Sequence, residues 1–251
     1  VQRNIESHLF FDRDNPSSVA SCITAARENA RIVRTALTSQ VWDAINSAFD
    51  ELRQLERTAR SELDLSRLTE WTMRHSAQMR GAIEATQLRN DGYDFLNLGY
   101  YLERADSTAR LLDVKYYVLL PRIEFVGSEL DNYQWTTLLR AMSSHRAFHW
   151  AYGGEVTASK IAHFLVLNPL CPRSLITCAD ALLEHLQRLD RRYGRPSTAK
   201  TQGNSLLAQL AETNIDDVFE EGLHEFLTRF IGETSRLAYT IHESYLSGDI
   251  R

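Results

Sequence analysis

Apolar residues recur three and four positions apart over most of the chain, which is the spacing of one face of an α-helix. The most regular run predicts a helix from Asp94 to about Tyr117, ended by Pro121 because proline lacks the backbone N–H that a helix needs. The apolar stripe of this helix consists of Phe95, Leu98, Leu102, Ala105, Ala109, Leu112 and Tyr116. We expect this stripe to face a protein core.

Less regular segments with the same period predict six further helices. They cover Ser18 to Leu37, Val41 to Thr58, Ser66 to Leu88, Glu129 to Tyr152, Pro172 to Tyr193 and Asp216 to Leu246. No segment shows the strict alternation of apolar and polar residues that a half-buried strand requires. The pattern therefore predicts an all-α helical bundle with short connections.

Prolines, serines and glycines indicate where these helices begin and end. Pro16 and Pro172 each stand just before a serine, Ser18 or Ser174, that is able to cap a helix N-terminus. Glycine-containing breaks are expected at Gly92, Gly153-Gly154, Gly194 to Pro196 and Gly203.

The chain resembles itself when it is shifted so that Ser18 falls on Ser174, and we call this shift the repeat offset. Six residues of the earlier segment then match without a gap: Leu9, Pro16, Ser18, Cys22, Ala25 and Glu28 fall on Leu165, Pro172, Ser174, Cys178, Ala181 and Glu184. In both segments an apolar stretch precedes proline, serine and a long predicted helix. This agreement predicts a tandem duplication.

The duplication predicts a division into residues 1–93, the remainder of a first repeat, and residues 94–251, a second repeat, packed as a single all-α domain. At the repeat offset, the counterpart of the segment from Asp94 to Thr157 falls before Val1. Because repeats are whole supersecondary units, we expect the first repeat to be truncated here and the full polypeptide to carry roughly 60 further residues before Val1.

Composition and charge exclude several classes of function. The net charge of −5, with acidic and basic residues interspersed, does not favour nucleic acid, whose binding depends on clustered cations. The apolar runs are far shorter than the roughly 20 residues that span a membrane. Val1 to Phe11 show no secretion signal, so we expect a cytoplasmic protein.

The three cysteines have no metal-binding or redox spacing and are expected to be buried or inert.

Four charged residues lie on one face of the predicted helix from Asp94, beside its apolar stripe. They are Glu103, Asp106, Arg110 and Asp113. Arg110 is spaced to pair with Asp106 and with Asp113, and such pairs are typical of a solvated helix face. From the residues alone, this structural interpretation is favoured over a functional site.

Other residue patterns offer little support for catalysis. Glu221 and His224 form one Glu-x-x-His pair, but its counterparts at the repeat offset are Leu65 and Leu68, so the second pair of a di-metal site is missing. His145 and His149 are spaced to share a metal but lack the surrounding motif, and a packing or surface role is favoured. No nucleophile elbow and no phosphate-binding loop occurs. No cofactor and no metal are predicted.

The segment Tyr101-Leu102-Glu103-Arg104-Ala105, followed by Thr108 to Asp113, resembles the signature of the bacterial alpha-E domain family. That family is an α-helical domain with a Glu-Arg motif and is described as a tandem duplication. The resemblance extends to Phe95 to Gly99, to Phe164 to Ser174 and to Ala25 to Arg31, and so covers essentially the whole chain. It implies that the motif residues are Glu103, Arg104, Arg110 and Asp113, and that a first Glu-Arg copy falls before Val1.

The resemblance also implies partners. Such proteins occur with circularly permuted ATP-grasp ligases, transglutaminase-like proteins and Ntn-type peptidases, in a system proposed to make or modify peptides. It assigns no reaction to the domain itself. We therefore expect a non-catalytic partner or scaffold protein. The alternative is an enzyme that acts on a peptide or carboxylate substrate at a polar site between the repeats, with Glu103 and Arg104 as its functional groups.

Two physical roles are open for Glu103 and Arg104. Adjacent helical residues diverge by about 100°, so the two side chains reach different surroundings. Either they join the two repeats through partly buried ion pairs, which is the favoured hypothesis, or they form a polar pocket for an anionic peptide or a carboxylate.

Overall fold

The computed structural model describes residues 2–118, 129–154 and 156–247. Within these ranges the chain forms twelve α-helices and no strand, so the all-α prediction is confirmed. The helices are α1 (Gln2–Glu6), α2 (Val19–Ile32), α3 (Ser39–Arg57), α4 (Leu65–Thr86), α5 (Asp91–Val118), α6 (Glu129–Ala141), α7 (His145–Tyr152), α8 (Ala158–Val166), α9 (Leu175–Tyr193), α10 (Thr198–Glu212), α11 (Ile215–Glu221) and α12 (Leu223–Tyr245). A π-helical turn, Ser7–Phe11, follows α1.

The predicted helix starts at Ser18 and Ser174 are confirmed. The Ser18 hydroxyl accepts a hydrogen bond from the Ser21 backbone N–H at 3.1 Å, and the Ser174 hydroxyl accepts one from the Thr177 N–H at 3.2 Å. Each cap satisfies a backbone donor that the helix leaves unpaired, and such a cap contributes about 1 kcal/mol. Helices α2 and α9 begin one residue after these serines, at positions that the repeat offset makes equivalent.

Helix α5 begins earlier than the apolar stripe suggests. The Asn90 side chain accepts a hydrogen bond from the Tyr93 N–H at 3.1 Å, so Gly92, which we expected to be a break, lies in the first turn. The stripe faces inward as predicted, since Leu98, Ala105, Ala109 and Leu112 are buried. The predicted stop at Pro121 and the side chain of Tyr116 lie outside the described part of the structure.

Two of the predicted long helices are each divided. The one expected from Glu129 to Tyr152 breaks between α6 and α7, where Ser143 adopts a left-handed conformation with φ of 54°. The one expected from Asp216 to Leu246 breaks between α11 and α12 at Gly222, whose φ is 112°. Backbones with such φ values interrupt helical hydrogen bonding, and periodicity alone does not reveal them.

Gly203 is a further correction, because it lies inside α10 instead of between helices. A Cβ atom at this position would stand 2.9 Å from Leu186 Cδ1 of α9. The glycine therefore lets α10 pack closely against α9, and its role is packing rather than termination.

The contacts divide the chain into two units, Val1–Tyr93 and Asp94–Arg251. In the first unit, Phe10, Phe11, Leu52, Leu68 and Trp71 form a core between the π-helical turn and helices α3 and α4. In the second, the apolar stripe of α5 belongs to a larger core that includes five buried residues of helix α8 and the inner face of α9. Cys171 and Cys178 are buried in this second core, as expected, whereas Cys22 is exposed.

The helices of the two units correspond at the repeat offset. Helices α2, α3 and α4 correspond to α9, α10 and α12, and the start of α2 coincides with that of α9. This correspondence supports the duplication, which stays a prediction. Among the described helices, none is both long enough and apolar enough to cross a membrane.

A buried polar group holds the end of α9 against α12. Asp190 accepts hydrogen bonds from the Tyr245 hydroxyl at 2.8 Å and from the Ser197 backbone N–H at 3.1 Å. Burial tends to raise the pKa of Asp190, but these hydrogen bonds outweigh that effect and leave it below its ordinary value. Burial raises the pKa of Tyr245 to about 12, so this phenol stays neutral in the folded protein well above pH 10.

We expect this tyrosine to make the second unit sensitive to alkaline pH. Because the pKa of Tyr245 is raised on folding, its stabilising effect is fully present below the ordinary tyrosine pKa of about 10 and is lost as the pH rises towards 12. Tyr245→Phe should therefore lose less stability than the parent protein between about pH 7 and pH 11, measured by urea denaturation. Tyr239→Phe, at an exposed residue of the same helix, is the control. Equal losses in the parent and Tyr245→Phe would contradict this.

Candidate functional site

Arg104 points towards the turn that precedes α9. Its Nε donates a hydrogen bond to the Pro172 carbonyl at 2.9 Å, and its guanidinium also donates to the Tyr100 hydroxyl one helical turn earlier. The guanidinium carbon lies 5.3 Å from the centre of the Tyr100 ring, a cation–π distance. Among the described residues, Arg104 thus binds a backbone carbonyl and a tyrosine hydroxyl, and no carboxylate.

Thr108, one turn after Arg104, binds the same turn. Its hydroxyl donates to the Arg173 carbonyl at 3.0 Å, and the side chain is fully buried. Burial lowers the pKa of Arg173, and the nearby charge of Arg104 lowers it further. Two side chains of α5 therefore fix the Pro172–Arg173 segment immediately before the α9 cap.

Glu103 lies on the exposed face of α5, away from Arg104. Among the described residues it has no hydrogen-bond or ion-pair partner. The divergence predicted for adjacent helical positions is thus observed, and the described residues show no ion pair of Glu103, so its favoured role in joining the repeats stays a prediction. Glu103 and Arg104 do not converge on one polar site.

The other two motif residues lie on the same side of α5 as Glu103. Arg110 is exposed and donates to Asp106 at 2.6 Å, the expected pairing of residues four apart, and this hydrogen bond raises the pKa of Arg110. Asp113 does not pair with Arg110 as its spacing suggested. Instead its carboxylate lies 2.5 Å from Nδ1 of His224 at the start of α12.

The residues considered for metal binding are used in other ways. Glu221 forms an ion pair with Arg229, while His224 of the same Glu-x-x-His pattern contacts Asp113. The rings of His145 and His149 meet edge to face with centres 4.6 Å apart. Partial burial lowers the pKa of His145, and His149 lowers it further, because two neighbouring imidazoles disfavour a positive charge.

Two polar clusters have no counterpart in the sequence reasoning. In the second unit, Asp94 accepts from His185 Nδ1 at 2.8 Å, and the His185 ring stacks on Tyr101 with centres 6.1 Å apart. Asp94 stands one residue before the apolar stripe, and its partner His185 lies on α9, 91 positions later. Only tertiary packing brings these groups together.

In the first unit, three side chains of α4 converge on one oxygen of Glu51 in α3. Trp71 Nε1, Arg74 and His75 Nε2 lie 2.9, 3.0 and 3.0 Å from Glu51 Oε2. Burial tends to raise the pKa of Glu51, but the hydrogen bonds from His75 and Trp71 leave it lowered. The spacing of these three residues on one face of α4 is the signal that could have predicted a shared acceptor.

Comparison with known families decides the classification. The family Alpha-E, described as "a predicted alpha-helical domain with a conserved ER motif", matches residues 1–246. This chain belongs to the Alpha-E family. No curated protein matches the Alpha-E chain, and no solved structure matches it either.

The structure gives the Glu-Arg pair of this Alpha-E chain two separate environments. Arg104 is directed to the turn before α9, while Glu103 is directed to solvent. The pair therefore combines an internal anchor with an exposed charge on adjacent positions of α5.

Proposed function

We propose that this Alpha-E protein is a non-catalytic helical partner of a circularly permuted ATP-grasp ligase, in a peptide synthesis or modification system that also contains a transglutaminase-like protein. The observation that carries the proposal is the exposed face of α5, on which the exposed carboxylate of Glu103, in no ion pair with a described residue, lies near exposed apolar side chains. The choice of the ligase follows from the family resemblance, and ATP chemistry belongs to that partner.

The exposed face of α5 has the composition of a recognition surface. Leu96, Leu111 and Val114 are exposed by 40%, 39% and 49%. Helical geometry places Leu96 and Val114 within about 20° of Glu103 around the helix axis, and Leu111 about 80° from it, at the edge of the same exposed side. Scattered exposed leucines are ordinary, but apolar residues aligned around charges along one helix fit a partner that covers them. We call Leu96, Glu103, Arg110, Leu111 and Val114 the α5 face.

The opposite side of α5 is fixed in place, which makes the α5 face well suited to binding. Ala105, Ala109 and Leu112 are buried, and Arg104 and Thr108 hold the turn before α9. A recognition residue on a rigid helix loses little conformational freedom on binding, because its backbone is already ordered. The anchor at Arg104 therefore supports recognition by Glu103.

The test is recovery of the ligase with tagged protein purified from its own cells. We expect the ligase in near-equal amount with the parent protein and a loss on the order of tenfold with Leu111→Asp, because a charge would have to be buried in the interface. Tyr239→Asp is the matched control, since Tyr239 is an exposed apolar residue of the same unit on α12.

Three results bear on the proposal. Loss of the ligase with Leu111→Asp and its retention with Tyr239→Asp support it, provided both variants keep the parent's melting temperature. Equal recovery with the parent and both variants contradicts binding through the α5 face. Absence of the ligase from the parent purification contradicts the partnership.

A further inference from the structure

Arg104 diverges from Glu103, but it lies beside a second arginine. Its Nε donates to the Pro172 carbonyl, and Arg173 is the next residue of the chain. The Thr108 hydroxyl binds the Arg173 carbonyl, so the backbone that carries the second arginine is fixed against α5. The positive charge of Arg104 lowers the pKa of Arg173, as expected for two neighbouring cations. Two guanidinium groups therefore share the turn before α9.

Neither arginine has a carboxylate partner within the part of the chain that the structure describes. Five arginines there are partly buried, and three of the five form ion pairs. These three pairs are Arg27–Glu28, Arg80–Glu84 and Arg188–Glu184. The other two partly buried arginines are Arg104 and Arg173. Because burial removes water from a cation, two adjacent arginines without a counter-charge are unfavourable by themselves.

The groups around Arg173 do not supply the missing negative charge. Besides Arg104, the ionisable groups that act most strongly on it are the Tyr100 phenol and the thiols of Cys171 and Cys178. Burial raises the pKa of both thiols, that of Cys178 to about 12, so neither is ionised near neutral pH. The Arg173 side chain also forms no hydrogen bond with a described residue. Its N–H donors are therefore available to a ligand.

The N-terminus of α9 adds to the positive potential of this turn. Arg173 immediately precedes Ser174, which caps the helix, and the first turn of α9 contains no acidic residue. A helix N-terminus carries a partial positive charge, which favours an anion and disfavours a cation such as Arg173. The two guanidinium groups and the helix end thus all favour the same kind of ligand.

We infer that Arg104 and Arg173 together bind an oxyanion, the carboxylate or phosphate group of a ligand, beside the N-terminus of α9. The guanidinium of Arg173 has the planar fork that donates two parallel hydrogen bonds to such a group. Arg104 contributes positive charge from a position that its hydrogen bonds to Pro172 and Tyr100 hold fixed. This inference goes beyond the proposed function and does not depend on it, because the site lies within the chain itself.

Calorimetric titration of the purified chain tests the inference with two probes, inorganic phosphate and N-acetylglycine, at constant ionic strength. We expect at least one probe to bind saturably with one site per chain, and its identity distinguishes a phosphate ligand from a carboxylate ligand. Arg173→Gln should weaken binding by on the order of tenfold or more, because it removes a charged donor. Arg173→Lys should retain a part of the affinity, since it keeps the charge but not the planar fork.

Arg191→Gln is the matched control, since Arg191 is an exposed arginine of the same helix and its loss changes the net charge equally. The affinity of this variant should equal that of the parent. Equal weakening by Arg173→Gln and Arg191→Gln would overturn the inference, because binding would then reflect the net charge alone. Absence of saturable binding with both probes would overturn it as well.

The melting temperature without ligand separates a binding role of Arg173 from a structural one. We expect Arg173→Gln to melt at or above the parent temperature, because the substitution relieves the repulsion from Arg104 and breaks no hydrogen bond with a described residue. A clearly lower melting temperature would show that the side chain maintains the fold, and would contradict the inference. Because only this chain is titrated, failure to recover the ligase would contradict the proposed function and leave the oxyanion site intact.

Discussion

Asp131→Ala is expected to lower the free energy of unfolding by about 3 to 5 kcal/mol, which is the usual cost of removing one partner of a buried ion pair. Lys115 of α5 donates to Asp131 of α6 at 2.6 Å, and the two side chains are 0% and 3% exposed. The Lys115 ammonium also lies 4.9 Å from the centre of the Trp135 ring. Without the carboxylate, this ammonium remains buried, and among the described residues the Trp135 ring is the contact left to stabilise it. Urea denaturation followed by circular dichroism measures the loss.

Two comparisons separate this effect from a general surface effect. Asp106→Ala removes the exposed partner of Arg110 and should cost less than about 0.5 kcal/mol, since solvent screens that pair. The double variant Lys115→Met with Asp131→Leu should be more stable than Asp131→Ala, because it leaves no buried charge unpaired. A loss below about 1 kcal/mol for Asp131→Ala would contradict the burial of this pair.

Arg104→Ala is expected to lower the free energy of unfolding by about 2 kcal/mol, as for other hydrogen bonds from a charged group. The substitution removes the donor to the Pro172 carbonyl and the contact with Tyr100, so the turn before α9 loses one of the two side-chain anchors that α5 supplies. Relief of the repulsion between Arg104 and Arg173 offsets a part of the cost. Chemical denaturation of the purified chain is the measurement.

Thr108→Val is the companion variant, since it keeps the shape of the side chain and removes only the hydroxyl that binds Arg173. We expect a loss of about 1 kcal/mol, because this hydrogen bond joins neutral groups. Arg104→Lys should fall between the parent and Arg104→Ala, since an ammonium reaches one acceptor but lacks the planar guanidinium. Unchanged stability in Arg104→Ala would show that the turn before α9 does not depend on the motif arginine.

Local pattern predicted much of the helical architecture. The stripe from Phe95 to Leu112 is amphipathic at a period that only a helix satisfies, and Ser18 and Ser174 cap helices through contacts within three residues. The helix breaks at Ser143 and Gly222 were not predicted, because one residue with a positive φ interrupts a helix without changing the apolar spacing on either side. Gly203 was wrongly predicted to end a helix. The sequence alone does not distinguish a glycine that permits close packing inside a helix from a glycine that ends one.

The candidate site was predictable only in part. The identity of Glu103 and Arg104 follows from the motif, and their divergence follows from the rotation of about 100° per helical residue. The acceptor of Arg104, however, is a backbone carbonyl 68 positions away. Every residue has such a carbonyl, so the sequence does not indicate which one is the acceptor. For the same reason the pairing of Asp113 with His224, 111 positions away, could not be deduced from helical spacing.

The most direct test of the division of roles within the motif is to measure melting temperature and ligase recovery together for Glu103→Lys. Because Glu103 is exposed and has no ion-pair partner among the described residues, we expect the melting temperature to stay at the parent value. Ligase recovery should fall on the order of tenfold, since the charge on the α5 face is reversed. Unchanged recovery, or a peptide-modifying activity of the isolated chain that Glu103→Gln abolishes without unfolding it, would contradict the account.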